Sequence, residues 1–181
     1  VMGLPPLASF PPARSTALAA TSDLRWRCRP LRDHDLAWLS ALYASTREQE
    51  LQAVPWPADA KQQFLAQQFI AQHQHYLAHY PSAHYLAVEL DGEAVGRVYL
   101  DETGADDRLV DISLFPAWRG QGIGAALIER QQQSSAARGR GLALHVMVHN
   151  IGAQRLYARL GFVANGASED GVYLPLRWQP S

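Results

Sequence analysis

The 181-residue chain holds a single cysteine, Cys28, so an intrachain disulfide is excluded. With seven histidines but no paired thiols, it shows no structural zinc pattern. The formal net charge is only −1, so no bulk field draws the chain to nucleic acid or to an anionic membrane. No apolar run approaches the ~18 residues that a membrane span needs. There is no internal repeat, and no basic segment precedes a long apolar core as in a secretory signal. The expectation is a soluble cytoplasmic protein without a metal and without a nucleic-acid or membrane partner. What is present is a 48% apolar composition, which suits a globular core in one compact domain.

Residues 1–23 are rich in Pro, Ala and Ser and hold no sustained hydrophobic period, which predicts a mobile leader ahead of a single domain over 24–181. Leu24 to Pro30 predicts a short strand with Trp26 and Cys28 on one face. Asp33 is placed to cap a helix through about Ser45, along which Leu36, Leu39, Leu42 and Tyr43 fall at helical spacing. Pro55 and Pro57 then forbid helix, and the connector carries Glu48, Glu50 and Trp56. A second helix from about Asp59 to His79 bears a stripe of Leu65, Phe69, Tyr76 and Tyr80, with His73 among them. His84 to Leu90 and Ala94 to Leu100 alternate as strands about an Asp91-Gly92 hairpin turn. Strand Leu109–Phe115, helix Gly122–Arg138, strand Leu142–Val148 and helix Asn150–Leu160 follow, the last ended by Gly161. Phe162–Asn165 and Gly171–Trp178 close the chain as a hairpin. Strands alternating with helices predict an α/β fold with a mixed sheet.

The most informative stretch is Arg119-Gly120-Gln121-Gly122-Ile123-Gly124-Ala125, which leaves a β-branched strand and opens a helix directly. Backbone N–H groups at a helix start have no intrahelical partner and carry the positive end of the dipole. Glycines remove the Cβ atoms that would keep a bulky anion from reaching them. The chemistry is that of a phosphate or pyrophosphate cradle. A Walker loop would end in Gly-Lys-Ser/Thr, and here the turn ends Gly-Ala-Ala. A dinucleotide fingerprint would need G-x-G-x-x-G and an acid about 20 residues on. The chain offers G-x-G-x-G and no carboxylate near Leu144.

Arg119-Gly120-Gln121-Gly122-Ile123-Gly124 resembles the acetyl-CoA signature of the GNAT superfamily of acyl-CoA N-acyltransferases. A second block, Asn150, Ala153, Tyr157 and Gly161-Phe162, resembles that family's N-x-x-A-x-x-x-Y-x-x-x-G-F pattern, in the family's order and one helix and one strand downstream. The resemblance covers about Leu109 to Phe162. It implies a GNAT-type sheet, mostly antiparallel, with a central parallel strand pair splayed apart and helices on both faces. It implies acetyl-CoA as co-substrate, no metal, and a small-molecule or peptide amine as acceptor. Family members are often dimers, so a homodimer is compatible with it.

Under this resemblance each task in acyl transfer has a candidate. Arg119 to Ala125 (Arg119, Gly120, Gln121, Gly122, Ile123, Gly124, Ala125) would hold the pyrophosphate through backbone N–H groups, with Arg119 adding a cation. Leu114 and Phe115 match the position where the pantetheine arm adds like a strand, and a backbone N–H there can stabilise an oxyanion. Tyr157, on the inward helix face, is the candidate general acid, since a phenol of pKa near 10 keeps its proton at neutral pH. Asn150 is a helix cap by type and place, and the resemblance adds a contact to the cofactor arm. His145 is the first candidate for general base and Asp111 the second, either orienting His145 or taking a proton through water; a water chain could replace both. The acceptor pocket of the resembled family is built by its first two helices, their connector and the last hairpin, here Glu48, Glu50, Trp56, Tyr76, Tyr173 and also His73. Carboxylates near aromatic rings favour a cationic amine.

No cysteine lies in the motif region, so direct transfer in a ternary complex is expected rather than a covalent acyl-enzyme. The competing readings are a catalytically idle acyl-CoA-binding sensor or partner module, a transferase of another acyl group, and a nucleotide-binding protein.

Overall fold

In the computed structural model, which describes residues 7–20 and 25–181, seven strands form one sheet in the order β1-β2-β3-β4-β5-β7-β6. The strands are β1 Trp26–Pro30, β2 His84–Leu90, β3 Glu93–Asp101, β4 Asp107–Leu114, β5 Leu142–Met147, β6 Val163–Ala164 and β7 Tyr173–Trp178. Every neighbouring pair is antiparallel except β4 and β5, which run parallel. Among the described residues, four α-helices accompany the sheet, α1 Leu36–Gln52, α2 Ala58–His79, α3 Ile123–Ala137 and α4 Ile151–Arg159. The parallel pair needs a crossover, and α3 supplies it.

The sheet is covered on both faces, which is why β2 is buried at every residue rather than at alternate ones. Leu86, Val88 and Leu90 join a core with Val98, Leu100, Leu127, Leu144 and Tyr157. Tyr85, Ala87 and Tyr99 join a second core with Leu39, Tyr43 and Phe69 from α1 and α2. The β2–β3 turn has positive φ at both Asp91 and Gly92, as a two-residue hairpin requires.

Helix α1 runs to Gln52, about two turns beyond the end expected near Ser45. Thr46–Gln52 are good helix formers, and Pro55 restricts only itself and the residue before it. Glu48 and Glu50 therefore stand on the helix and not in the connector. Asp33 lies in a short 3-10 turn ahead of α1 and accepts from Ser9 Oγ at 2.7 Å and Phe10 N at 3.3 Å. Asp35 is the acid that organises this corner, accepting from Arg29, Arg32 N and Trp38 Nε1.

Residues 7–20 fall in the stretch expected to be a mobile leader, and they lie on the body of the protein. Leu18 is fully buried in the first core, and Phe10 packs edge-on against His73 at 4.9 Å between centroids. Arg14 Nη1 donates to Ser82 O at 3.1 Å. The apolar side chains of this segment find sockets that its Pro, Ala and Ser content conceals. The rest of that stretch, and Leu24 of the expected first strand, lie outside the described residues.

A polar brace ties α3 to the start of β4. The fully buried Asp107 accepts from Ser135 Oγ at 2.6 Å, Gln131 Nε2 at 3.2 Å, Arg138 Nη2 at 2.6 Å and Arg140 Nη1 at 3.3 Å. Asp106 beside it is forked by Arg177 of β7. Glu102 receives Arg138 at 2.6 Å and lies 3.0 Å from His84 Nε2. Among the described residues, no helix is long and apolar enough to cross a membrane, and no group of three or more His, Cys, Asp or Glu could hold a metal ion.

Candidate active site

The parallel strands pair over three positions only, Asp107 with Leu142, Arg108 with Ala143 and Leu109 with Leu144. Beyond that point β4 continues to Leu114 beside β3, while β5 continues to Met147 beside β7. The sheet is thus split along the rest of β4 and β5. Gly96 of β3 helps to set this up. A Cβ there would collide with the Ser113 carbonyl and the Leu114 side chain, so only glycine lets β4 follow β3 this closely. Phe115 N donates to Val95 O at 2.9 Å. In an antiparallel ladder successive amides point to opposite sides. The Leu114 amide therefore faces the gap, as the oxyanion role needs. The Phe115 amide is spent on β3 and does not match that role.

The glycine turn opens directly past the gap. Gly120 has φ +72 and Gly122, the residue ahead of α3, has φ +81, a left-handed backbone that favours glycine. A Cβ built on Gly120, Gly122 or Gly124 would meet nothing within 4 Å, so the turn faces open space. The amides of Ile123, Gly124 and Ala125 start the helix without intrahelical acceptors. Such a surface fits a diphosphate. Ile123 itself is buried in the core, so its contribution is backbone. Arg119 folds back, Nε donating to Leu114 O at 2.9 Å, and Gln121 Nε2 donates to Ala117 O at 2.8 Å. Both side chains brace the turn through these bonds and remain exposed.

From α4, Tyr157 is buried and packs edge-to-face on Phe162 at 5.6 Å. Burial, with the charge of Asp111 adding to it, pushes its phenol up to about 12. Asn150 caps α4, its Oδ1 accepting from Ala153 N at 3.1 Å. The cap uses the oxygen and leaves the amide hydrogens for another partner.

The two base candidates are placed differently from expectation. Asp111 does not orient His145. It is gripped by Arg97, Nε to Oδ1 and Nη2 to Oδ2 both at 3.1 Å, with Tyr76 Oη donating at 2.9 Å and Ser113 Oγ at 3.0 Å. Both oxygens of the carboxylate are thus already engaged by donors. His145 is exposed on β5, with Arg108 Nη1 2.9 Å from its Nδ1. Arginine is only a donor, so Nδ1 accepts and the neutral ring carries its hydrogen on Nε2. Burial and the Arg108 charge both lower the His145 pKa. The ring is neutral near pH 7, but its lone pair is already engaged, which argues against its acting as the base.

On the acceptor side the structure joins Tyr76 to Asp111. Tyr173 is exposed on β7, and electrostatic influence links it to Tyr76. The other acceptor candidates have other company. Glu50 pairs with Arg47 at 3.0 Å, Glu48 is exposed on α1, and the exposed Trp56 meets Phe64 edge-on at 5.4 Å. His73 is buried, its Nε2 lying 2.8 Å from Ala8 O and its ring beside Phe69 and Phe10, so it belongs to packing. Arg97, Gln72, Arg108 and Ser113 escaped the sequence reading. The available signal was one arginine at the centre of the apolar strand AVGRVYL, beside the stretch Leu109–Phe115 whose single acid is Asp111. A charge covered on both faces needs a carboxylate partner.

With this geometry in hand, three likenesses bear on it. A 96-residue stretch is 34% identical to a Bacillus subtilis protein provisionally named as an N-acetyltransferase of the alanine of ribosomal protein bS18, covering 51% of this chain and 62% of that one. The chain thus spans less than two thirds of that relative. The PaiA N-acetyltransferase of Thermoplasma acidophilum, solved in complex with coenzyme A, superposes with a TM-score of 0.65 at 16% identity, over 86% of this chain and 99% of that one. An acetyltransferase of Thermus thermophilus superposes at 0.64 with 18% identity, over 87% and 98%. At such identities these two structures speak for the fold. Residues 26–162, from β1 through the end of α4, match the acetyltransferase (GNAT) family, and the chain belongs to that family.

Proposed function

We propose that this protein transfers an acetyl group from acetyl-CoA to a primary amine by direct attack in a ternary complex. The observation that carries the reading is the split between β4 and β5 ending at an open, glycine-lined helix start. The backbone amides from Gly122 to Ala125 would take the pyrophosphate of the co-substrate. The inward Leu114 amide would steady the oxyanion as the amine adds to the thioester carbon. Tyr157 would give its proton to the departing thiolate as the C–S bond breaks, and the new C–N bond leaves an amide. With Asp111 and the His145 lone pair both engaged, the amine's proton departs through water. A covalent acyl-enzyme lacks support, because the sole cysteine, Cys28, is buried and burial pushes its thiol up to about 12.

The acceptor is a small-molecule or peptide amine. The Bacillus subtilis relative's name points to an alanine amine, and that acceptor class comes here as part of the proposal. We assign the work to a cytoplasmic protein without a membrane or nucleic-acid partner, on the charge balance of −1. The test is calorimetric titration with acetyl-CoA, followed by thiol release from acetyl-CoA across a panel of amines. Micromolar binding with amine-dependent thiol release supports the reading. Binding without release on any amine favours an idle acyl-CoA sensor, and no binding rejects both.

A further inference from the structure

Arg97 is a charge set in the middle of a covered sheet, with its side chain 3% exposed. Its fork closes on Asp111, Nη2 also donates to Gln72 Oε1 at 2.7 Å, and the guanidinium lies 4.8 Å from the centroid of the Tyr99 ring. Ser113 and Tyr76 complete the set of donors around Asp111. Burying an ion pair is a poor route to stability, since packed apolar residues of similar volume often do as well. What this arrangement fixes is one hydrogen. Arg97 offers no lone pair and an ionised Asp111 offers no proton. The hydrogen on the Tyr76 oxygen is therefore held on Asp111, and toward any further partner that oxygen can only accept.

The place of this oxygen matters. Tyr76 hangs from α2 and donates to Asp111, which lies on β4 beyond Leu109, the last position paired with β5. The hydroxyl therefore stands beside the split in the sheet. A neutral primary amine carries one lone pair and two N–H bonds. A freely turning hydroxyl would donate to that lone pair and hold it back from a thioester. A hydroxyl locked as acceptor takes an N–H and leaves the lone pair free.

Resting on the acyl-transfer reading above, we infer that Arg97 and Asp111 are positioning residues that lock Tyr76 as the hydrogen-bond acceptor for the incoming amine. Because Arg97 already balances the Asp111 charge, the class of acceptor held at this point is a neutral amine and not its ammonium form.

Steady-state kinetics on the full chain test the inference, with acetyl-CoA and benzylamine, putrescine and an alanyl peptide as probes. Tyr76→Phe removes only the oxygen. The amine KM is expected to rise at least tenfold while the KM for acetyl-CoA stays within twofold. Asp111→Asn presents a donor where a carboxylate oxygen stood and turns the Tyr76 hydrogen outward; Arg97→Lys keeps the charge and opens the fork. Each is expected to reduce kcat/KM for the amine at least tenfold in the Tyr76 background and less than twofold further in the Tyr76→Phe background. A merely structural role would give effects that multiply. An amine KM within twofold of wild type for Tyr76→Phe, or full multiplication in the double variants, overturns the inference. Thermal melts verify that each variant is folded; if Asp111→Asn is not, Arg97→Lys carries the same comparison. Wild-type protein that binds acetyl-CoA and acetylates no amine would bring down the acyl-transfer reading and this role with it. Intact wild-type turnover beside an unaffected Tyr76→Phe would remove this role alone.

Discussion

At the scale of the residue, Tyr157 and His145 make opposite predictions. A phenol held at about 12 by burial and by Asp111 keeps its proton across the working range of pH. Tyr157→Phe is expected to lower kcat about a hundredfold while calorimetric acetyl-CoA affinity stays within twofold; unchanged kcat would remove Tyr157 as the acid. His145→Gln is expected to leave the acidic limb of the pH–rate profile in place, because the His145 lone pair already accepts from Arg108. Loss of that limb would return His145 to the role of base. Tyr157, Asn150, Leu114 and the glycine turn stand on the elements that local spacing assigns them, while the roles proposed for them come from the family resemblance. The partners of Asp111 and His145 were not legible, because Arg97 and Arg108 reach them across strands. Spacing along a chain says which face a side chain takes, and not which cation waits there.

At the scale of the element, the start of α3 separates stability from binding. Gly124 has ordinary helical backbone and faces open space, so Gly124→Ala costs no strain. It is expected to hold or raise the melting temperature, with a gain of up to about 0.5–1 kcal/mol, yet to weaken acetyl-CoA binding by placing a methyl group before the amides. Gly122→Val should weaken both, since a left-handed φ costs a side chain about 1–2 kcal/mol. Calorimetry and melts on the two variants check this; equal acetyl-CoA affinity in Gly124→Ala would move the phosphate site elsewhere. Most elements were legible within a residue or two, because periodicity and glycine or proline punctuation agree in β2, β3, α2, α3 and α4. The end of α1 was not. Its last two turns, Thr46–Gln52, hold one apolar residue, Leu51, and are exposed on most sides, so no apolar stripe announces them.

At the scale of the whole molecule, the brace around Asp107 and Glu102 sets the response to acid. Burial raises the Glu102 carboxyl, but hydrogen bonds from His84 and Gln131 and the charge of Arg138 outweigh it and bring the group to about 2. A carboxyl depressed in the folded state stabilises fully above its unfolded value near 4.3, and that stability drains away as pH falls toward 2. The melting temperature is expected to drop steeply between about pH 4.5 and 2, and Glu102→Gln should flatten that drop while lowering stability at pH 7. An equally steep drop in the variant would assign acid lability to other carboxylates, Asp35 first among them, since Arg29, Trp38 and Arg32 outweigh its burial and hold it low. The mixed sheet and its parallel split could be anticipated from the two motif blocks, whereas this brace could not, being assembled at long range from β2, the loop after β3, β4 and α3. The segment at residues 7–20 has a consequence of its own. Phe10 seats in the core beneath α1 and α2 while Leu18 seats in the core of the opposite face, so one short ribbon buckles both layers together. Trimming the chain to residue 20 would unfasten the two sides at once, forfeiting about 2 kcal/mol for Leu18 alone and lowering the melting temperature without removing any group from the gap between β4 and β5.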